Sequence, residues 1–231
     1  MKVLIVDNNL HIKTYPQTML IRQYLGIAHG ITATTCLPHQ LADNHISYDR
    51  VILSGSTAYI REEKEWMDHE RRFIDRWIQK QVPILGICFG AQLLARHVFG
   101  KEAVVALPYP INGSIIVDQI NNSPLFASLP PSFGAVATHY EGFSVPASCR
   151  IAQTAEWHSY GFQMDGHIFG IQFHPELTGW FGKQLVTIQR LLYDRHVYQS
   201  FSVKTDPWHG KKIFRNFLTL PAPLSSAAKG P

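Results

Sequence analysis

No run of about eighteen consecutive apolar residues occurs in the chain, so a membrane-spanning helix is not expected. Cysteine is scarce. Cys36, Cys88 and Cys149 are an odd, scattered set without metal-ligand spacing, which argues against a disulfide framework or a zinc site and for a reducing cytoplasm. Charge is scarce as well, at 16% of residues, and the net value of +4 is too mild to imply nucleic acid unless it is clustered. There is no internal repeat, no linker before residue 220 and no P-loop pattern. The first apolar run, Val3–Val6, is too short for a signal peptide and reads as a buried strand. No cofactor and no metal are expected.

What the chain does have is core. With 45% hydrophobic residues in 231, it can build one sizeable α/β domain, expected over 1–220, followed by a disordered tail over 221–231. Strands are expected at Lys2–Asp7, Ile31–Cys36, Arg50–Leu53 and Val82–Ile87. Helices are expected at Pro16–Gly26, Glu62–Lys80, Leu177–His196 and Trp208–Leu220. In the second helix Trp66, Phe73, Ile74, Trp77 and Ile78 share one side; Lys64/Asp68, Asp68/Arg72 and Arg71/Asp75 are candidate i,i+4 pairs on the other. Strand–helix alternation up to Gly100 predicts a doubly wound, mostly parallel sheet with helices on both faces. From Ala103 to Gln172 the runs shorten between Pro, Asn and Gly, which predicts an antiparallel extension. Seven basic residues against two acidic ones lie between Leu177 and Leu220, either a solvated helical face or a docking surface for an anionic ligand or partner.

One segment carries chemistry. Gly86-Ile87-Cys88-Phe89-Gly90 follows an all-apolar strand and opens a helix, the form of a nucleophile elbow. The glycines two positions either side remove Cβ atoms that would clash at so sharp a turn. The elbow would expose the sulfur at a helix amino terminus, where the dipole favours thiolate, and would aim the Phe89 N–H at an oxyanion formed beside it. The bland alternative is a small buried cysteine closing a strand. A nucleophile needs a base and an orienter. Phe169–Phe173 reads as a strand ending in His174-Pro175-Glu176, whose alternation would put His174 and Glu176 on one side, the carboxylate holding the imidazole.

The elbow Gly-Ile-Cys-Phe-Gly-Ala-Gln, the distant Gln-Phe-His-Pro-Glu, Ile52–Ser56, Thr138-His139 and Lys212–Leu218 together resemble the class I glutamine amidotransferases, a flavodoxin-like family. Within that family the chain is most similar to stand-alone proteins resembling the glutaminase part of GMP synthase. The resemblance covers about residues 1–220 and implies a thioester on Cys88 with L-glutamine as substrate. By the same resemblance Gly55 joins Phe89 in the oxyanion hole, Gln92 contacts substrate, and Thr138 and His139 contribute binding contacts. The ammonia acceptor would be a synthase or ligase on a separate chain; neither nucleic acid nor membrane is implied. The chain departs from the family pattern at Gly55-Ser56-Thr57, where a proline commonly stiffens the loop. It departs again at His139-Tyr140-Glu141, where His-Gly-Asp is common, and at Pro108–Gly113. The loop at Ser56 is therefore expected to be loosely held. Two rivals remain: a γ-glutamyl peptide hydrolase or transferase with the same triad, and a non-enzymatic binding protein that kept the fold.

Overall fold

The computed structural model describes residues 1–10, 16–26, 30–43, 47–177 and 202–221, with isolated positions at Trp180, Gly182, Gln184 and Thr187. The expected helix over Leu177–His196 and the tail from residue 222 onward thus fall almost wholly outside the described residues.

The strands are β1 (Lys2–Val6), β2 (Thr32–Cys36), β3 (Arg50–Leu53), β4 (Ile84–Ile87), β5 (Val104–Gln119), β6 (Ser132–Phe143), β7 (Arg150–Gln153), β8 (Gly161–Met164) and β9 (Ile168–Ile171). The helices are α1 (Gln17–Leu25), α2 (Glu65–Gln79), α3 (Phe89–Phe99) and α4 (Pro207–Leu218). Among the described residues the strands form one sheet in the order β2-β1-β3-β4-β9-β8-β7-β5-β6. The first five are parallel neighbours, and every pairing from β9 to β6 is antiparallel.

Alternation along the strands explains the layers. In β1, Val3 and Ile5 join a core with Ile21 and Leu25 of α1 and Phe214 and Phe217 of α4. Leu4 and Val6 face the other way, into a core with Met67, Ile74 and Trp77 of α2 and Leu93 and Leu94 of α3. Both faces of the parallel strands are therefore covered, which is why β3 and β4 are buried at every residue.

Local chemistry sets the helix ends. Asp206 caps α4 by accepting the Trp208 N–H at 2.9 Å, with Pro207 in the first turn. At the other end Arg50 donates to the carbonyls of Phe217 (3.3 Å), Leu218 and Leu220, satisfying acceptors that the helix leaves open. The start of α2 differs from expectation: Ile60–Glu62 is a separate 3₁₀ turn, and Glu63 takes φ +50° before the helix begins. The ion pairs differ as well. Asp68 pairs with Arg71, Lys64 with Glu62, and Asp75 reaches His97 on α3 at 2.8 Å. Partners on the adjoining turn and the neighbouring helix compete with i,i+4 partners that are each worth only a few tenths of a kcal/mol, about 0.2–0.5.

Candidate active site

Adjacent parallel strands deliver the site at their carboxyl ends, where ligands of doubly wound sheets bind. β3 leads into Ser54-Gly55, β4 into Cys88, and β9 through a short bend into His174. Cys88 has φ +51° and ψ −108°, a strained conformation for any residue with a Cβ. The flanking glycines explain how it is tolerated. A Cβ on Gly86 would lie 2.5 Å from the Gly90 carbonyl oxygen, and one on Gly90 would lie 2.3 Å from the Leu53 carbonyl oxygen. The Gly90 N–H donates to the Ser54 carbonyl at 3.1 Å, tying the start of α3 to the end of β3.

The sulfur is not exposed, contrary to expectation. Cys88 is only 4% accessible. Its Sγ lies 3.5 Å from the Thr138 carbonyl oxygen and 3.6 Å from Gln172 Nε2. β6, absent from a minimal elbow, brings the Thr138 carbonyl against the sulfur.

His174 and Glu176 meet by a route other than strand alternation. β9 ends at Ile171, and His174-Pro175-Glu176-Leu177 is a turn closed by Leu177 N–H donating to the His174 carbonyl at 3.2 Å. Proline pre-sets the second position of such a turn, so Pro175 folds the carboxylate back on the ring. His174 Nδ1 lies 2.7 Å from Glu176 Oε1. The His174 N–H donates to Val136 at 2.8 Å, which pins the turn to β6. Burial disfavours a charged ring here, but the Glu176 carboxylate and the Cys88 side chain outweigh it and raise His174 well above its ordinary value. The shift is toward the protonated ring, which interacts directly with the Cys88 side chain.

Gly55 sits beside this pair: a Cβ there would be 3.1 Å from His174 Cε1. Phe89 is the first residue of α3, so its N–H has no acceptor within the helix. The loop after Gly55 is held in spite of lacking proline. Glu141, buried, accepts the Ile60 N–H at 2.7 Å and pairs with Arg61 Nε at 2.7 Å. Ser54 is clamped by the Asn8 N–H to its Oγ at 2.9 Å and by Asn8 Nδ2 to its carbonyl at 3.2 Å. A carboxylate from β6 does what a proline would otherwise do.

Gln92 lies one turn into α3, buried, its Nε2 donating to the Glu141 carbonyl at 2.6 Å and placed 3.3 Å from Gln172 Oε1. Thr138 presents its carbonyl to the sulfur while its hydroxyl donates to Asn112 Oδ1. The His139 side chain is fully engaged: Nδ1 donates to the Glu141 carbonyl at 2.9 Å and Nε2 accepts from the Tyr160 hydroxyl at 2.6 Å. Burial pushes its pKa down to about 3, so it is a neutral strut with both ring nitrogens engaged. Among the described residues no group of three or more His, Cys, Asp and Glu side chains is placed to hold a metal, and no helix is long and apolar enough to cross a membrane.

Comparisons with known proteins bear on which family carries this arrangement. The model of the family "Glutamine amidotransferase class-I" matches residues 17–189. The chain belongs to that family.

Among relatives of this amidotransferase, a GMP synthase [glutamine-hydrolyzing] subunit from Picrophilus torridus is 29% identical over 182 residues, 77% of this chain and 90% of that one. The GMP synthase [glutamine-hydrolyzing] of Chlorobium chlorochromatii is 28% identical over 177 residues, 72% of this chain but 31% of that one. The chain thus spans about a third or less of the length of GMP synthases of this longer kind. A glutamine amidotransferase from Thermotoga maritima superposes with a TM-score of 0.71 at 18% identity, covering 94% of this chain and 96% of that one, which shows the shared fold.

Sequence reasoning missed Gln17, Asn8, Glu141 as a loop anchor, and Gln172. Two had a signal. Gln17 falls on the apolar stripe of α1, in register with Leu20, Ile21 and Leu25, and Gln172 interrupts a buried run. Polar residues at inward positions must find partners, and here those partners are the site.

Proposed function

We propose that the chain hydrolyses the side-chain amide of L-glutamine and delivers the ammonia to a synthase carried on a separate chain. The reading is carried by the grouping of Cys88, the His174–Glu176 pair and the Gly55 backbone at the ends of adjoining strands. The Cys88 sulfur attacks the carboxamide carbon, and the oxyanion is taken up by the N–H groups of Gly55 and Phe89. The C–N bond breaks as His174, already protonated, gives its proton to the departing ammonia. Water then attacks the thioester, His174 accepts its proton, and the C–S bond breaks to release glutamate. Glu176 keeps the Nδ1 proton in place throughout, so that the proton exchanged is the one on Nε2.

A separate synthase is supported by one relative: the Picrophilus torridus protein, of which the chain covers 90%, is named as a subunit of a GMP synthase. The basic stretch offers a route by which a partner reaches the site. Gly210 of α4 packs so tightly on the catalytic turn that a Cβ would lie 1.9 Å from the Pro175 carbonyl oxygen. The three cysteines are unpaired with one another, as a reducing compartment would keep them.

Ammonia release from L-glutamine by the purified chain, with Cys88→Ala as control, tests the proposal. Release by the wild type that Cys88→Ala loses supports it. Cleavage of a γ-glutamyl dipeptide faster than glutamine would refute it in favour of a peptide hydrolase.

A further inference from the structure

Gln17 is a buried amide, 3% accessible, at the first position of α1, and it touches the catalytic carboxylate. Its Nε2 lies 2.9 Å from Glu176 Oε1, the same oxygen that receives His174 Nδ1. Nε2 also lies 3.5 Å from His174 Nδ1, but both are donors while the ring points its N–H at Glu176, so that contact is proximity and not a bond. The amide orientation follows from chemistry: its carbonyl turned to the carboxylate would be repulsive, so the nitrogen must face Glu176. On its other side the amide packs on Gly55, where a Cβ would lie 3.0 Å from Nε2 and 3.1 Å from Oε1. One side chain therefore touches both the oxyanion loop and the base–orienter pair. Thr18, the next residue, anchors this end of α1 to the end of β1 through its hydroxyl, 3.3 Å from Asp7 Oδ2.

We infer that Gln17 is a positioning residue that holds Glu176 aimed at His174, acting on the reaction through that carboxylate. The inference rests on the proposed reaction. Glu176 is buried, and a buried carboxyl group needs hydrogen-bond partners to stay fixed in one orientation. His174 supplies one and Gln17 supplies a second. The second keeps the carboxylate in the plane that selects the imidazole tautomer, and it fills the space that Gly55 leaves open. Among the described residues, Tyr24 of α1 also faces Glu176, its pKa raised by burial and then by the Glu176 charge, and Cys88 is linked to it through His174.

The test uses two variants of the whole chain. Gln17→Met keeps length and volume but removes the donor. Gln17→Glu supplies a donor only while its carboxyl is protonated, and two carboxyls at this separation share one proton with the second pKa raised. Turnover of glutamine is measured against pH, together with the rate at which a neutral chloroacetamide alkylates Cys88. The expected result is that Gln17→Met loses roughly tenfold or more in kcat with KM little changed. Gln17→Glu should show activity that falls as pH rises along a one-proton limb that neither the wild type nor Gln17→Met displays. Packing alone would change stability without creating that limb.

Wild-type kcat in Gln17→Met, or a wild-type pH profile in Gln17→Glu, overturns the inference. If Gln17→Met does not fold, the Gln17→Glu profile decides. If the wild type releases no ammonia, the proposed function fails separately, and the alkylation rates decide on Gln17. There the inference expects Gln17→Met to slow Cys88 alkylation several-fold, and an unchanged rate overturns it.

Discussion

Replacing Glu70 by glutamine should make the protein more stable at neutral pH. Glu70 sits on α2 with no accessible surface, behind the loop that carries Gly55. It accepts from Asn8 Nδ2 at 3.3 Å, and Asn8 in turn clamps Ser54. Its other oxygen, Oε2, has no partner among the described residues. Burial lifts the carboxyl to about 8, only partly offset by the Asn8 hydrogen bond, against 4.5 for an ordinary glutamate. The native value lies above the unfolded one, so the native state keeps a proton that the unfolded chain releases. Stability is whole below pH 4.5 and falls as pH rises toward 8. At 1.36 kcal/mol per pH unit the loss reaches about 3 kcal/mol by pH 7. Glutamine has nothing to titrate, and its amide takes the place of the protonated carboxyl. Urea unfolding of both proteins at steps from about pH 5 to about pH 8 isolates the effect, because every other group titrates alike in the two. The stability difference should widen in favour of Glu70→Gln by up to about 3 kcal/mol over neutral pH. Parallel curves would mean that Glu70 is ionised in the native state, and the reasoning would be wrong.

Other consequences are as direct. Cys88→Ala should abolish ammonia release and His174→Ala nearly so, whereas Glu176→Ala should leave measurable turnover, because an orienter contributes less than a nucleophile or base; steady-state rates on folded variants decide. Gly210→Ala should drive α4 off the Pro175 carbonyl, lowering stability by about 1–3 kcal/mol and lowering kcat through the His-Pro-Glu turn; thermal unfolding and turnover measured together would show both losses or contradict the contact. Reversing Lys211, Lys212 and Arg215 to glutamate should reduce stimulation by a cognate synthase while sparing the basal rate, and equal stimulation would rule out that face as the docking surface.

The parallel half of the fold was legible because each element there carries its own signal. β1, β3 and β4 are short apolar runs, and α1 and α4 are marked by proline and by periodicity. The elbow was legible for the same reason, since Gly86 and Gly90 are required by backbone distances local to the turn. The closing of the site was not. β6 lies at the far edge of the sheet in strand order, yet its Thr138 and Val136 carbonyls meet Cys88 and His174. No local pattern reports a contact between residues fifty apart in sequence. Glu141 stands out in sequence only as a departure from the family pattern, and its role emerges once Ile60 and Arg61 are placed against it. His139 in sequence is open between a structural and a binding role, and the contacts of both its nitrogens, with Tyr160 and the Glu141 carbonyl, are what sequence does not report. The His174–Glu176 contact was expected for the wrong geometric reason: proline made a turn where alternation had suggested a strand.

The central claim is that Cys88 alone of the three cysteines is a nucleophile aimed at a glutamine amide. Cys36 is buried, with its thiol pushed up to about 11 by burial and by the nearby Glu70 and Asp7. Cys149, just before β7, has the Ser148 hydroxyl 4.0 Å from its sulfur where Cys88 has a histidine. A diazo-ketone analogue of glutamine, followed by intact-mass analysis and peptide mapping, measures the claim in one experiment. The account predicts a single adduct on the peptide bearing Cys88, with protection by excess L-glutamine and no adduct in Cys88→Ala. Labelling shared among Cys36, Cys88 and Cys149, or absent from Cys88, would contradict it.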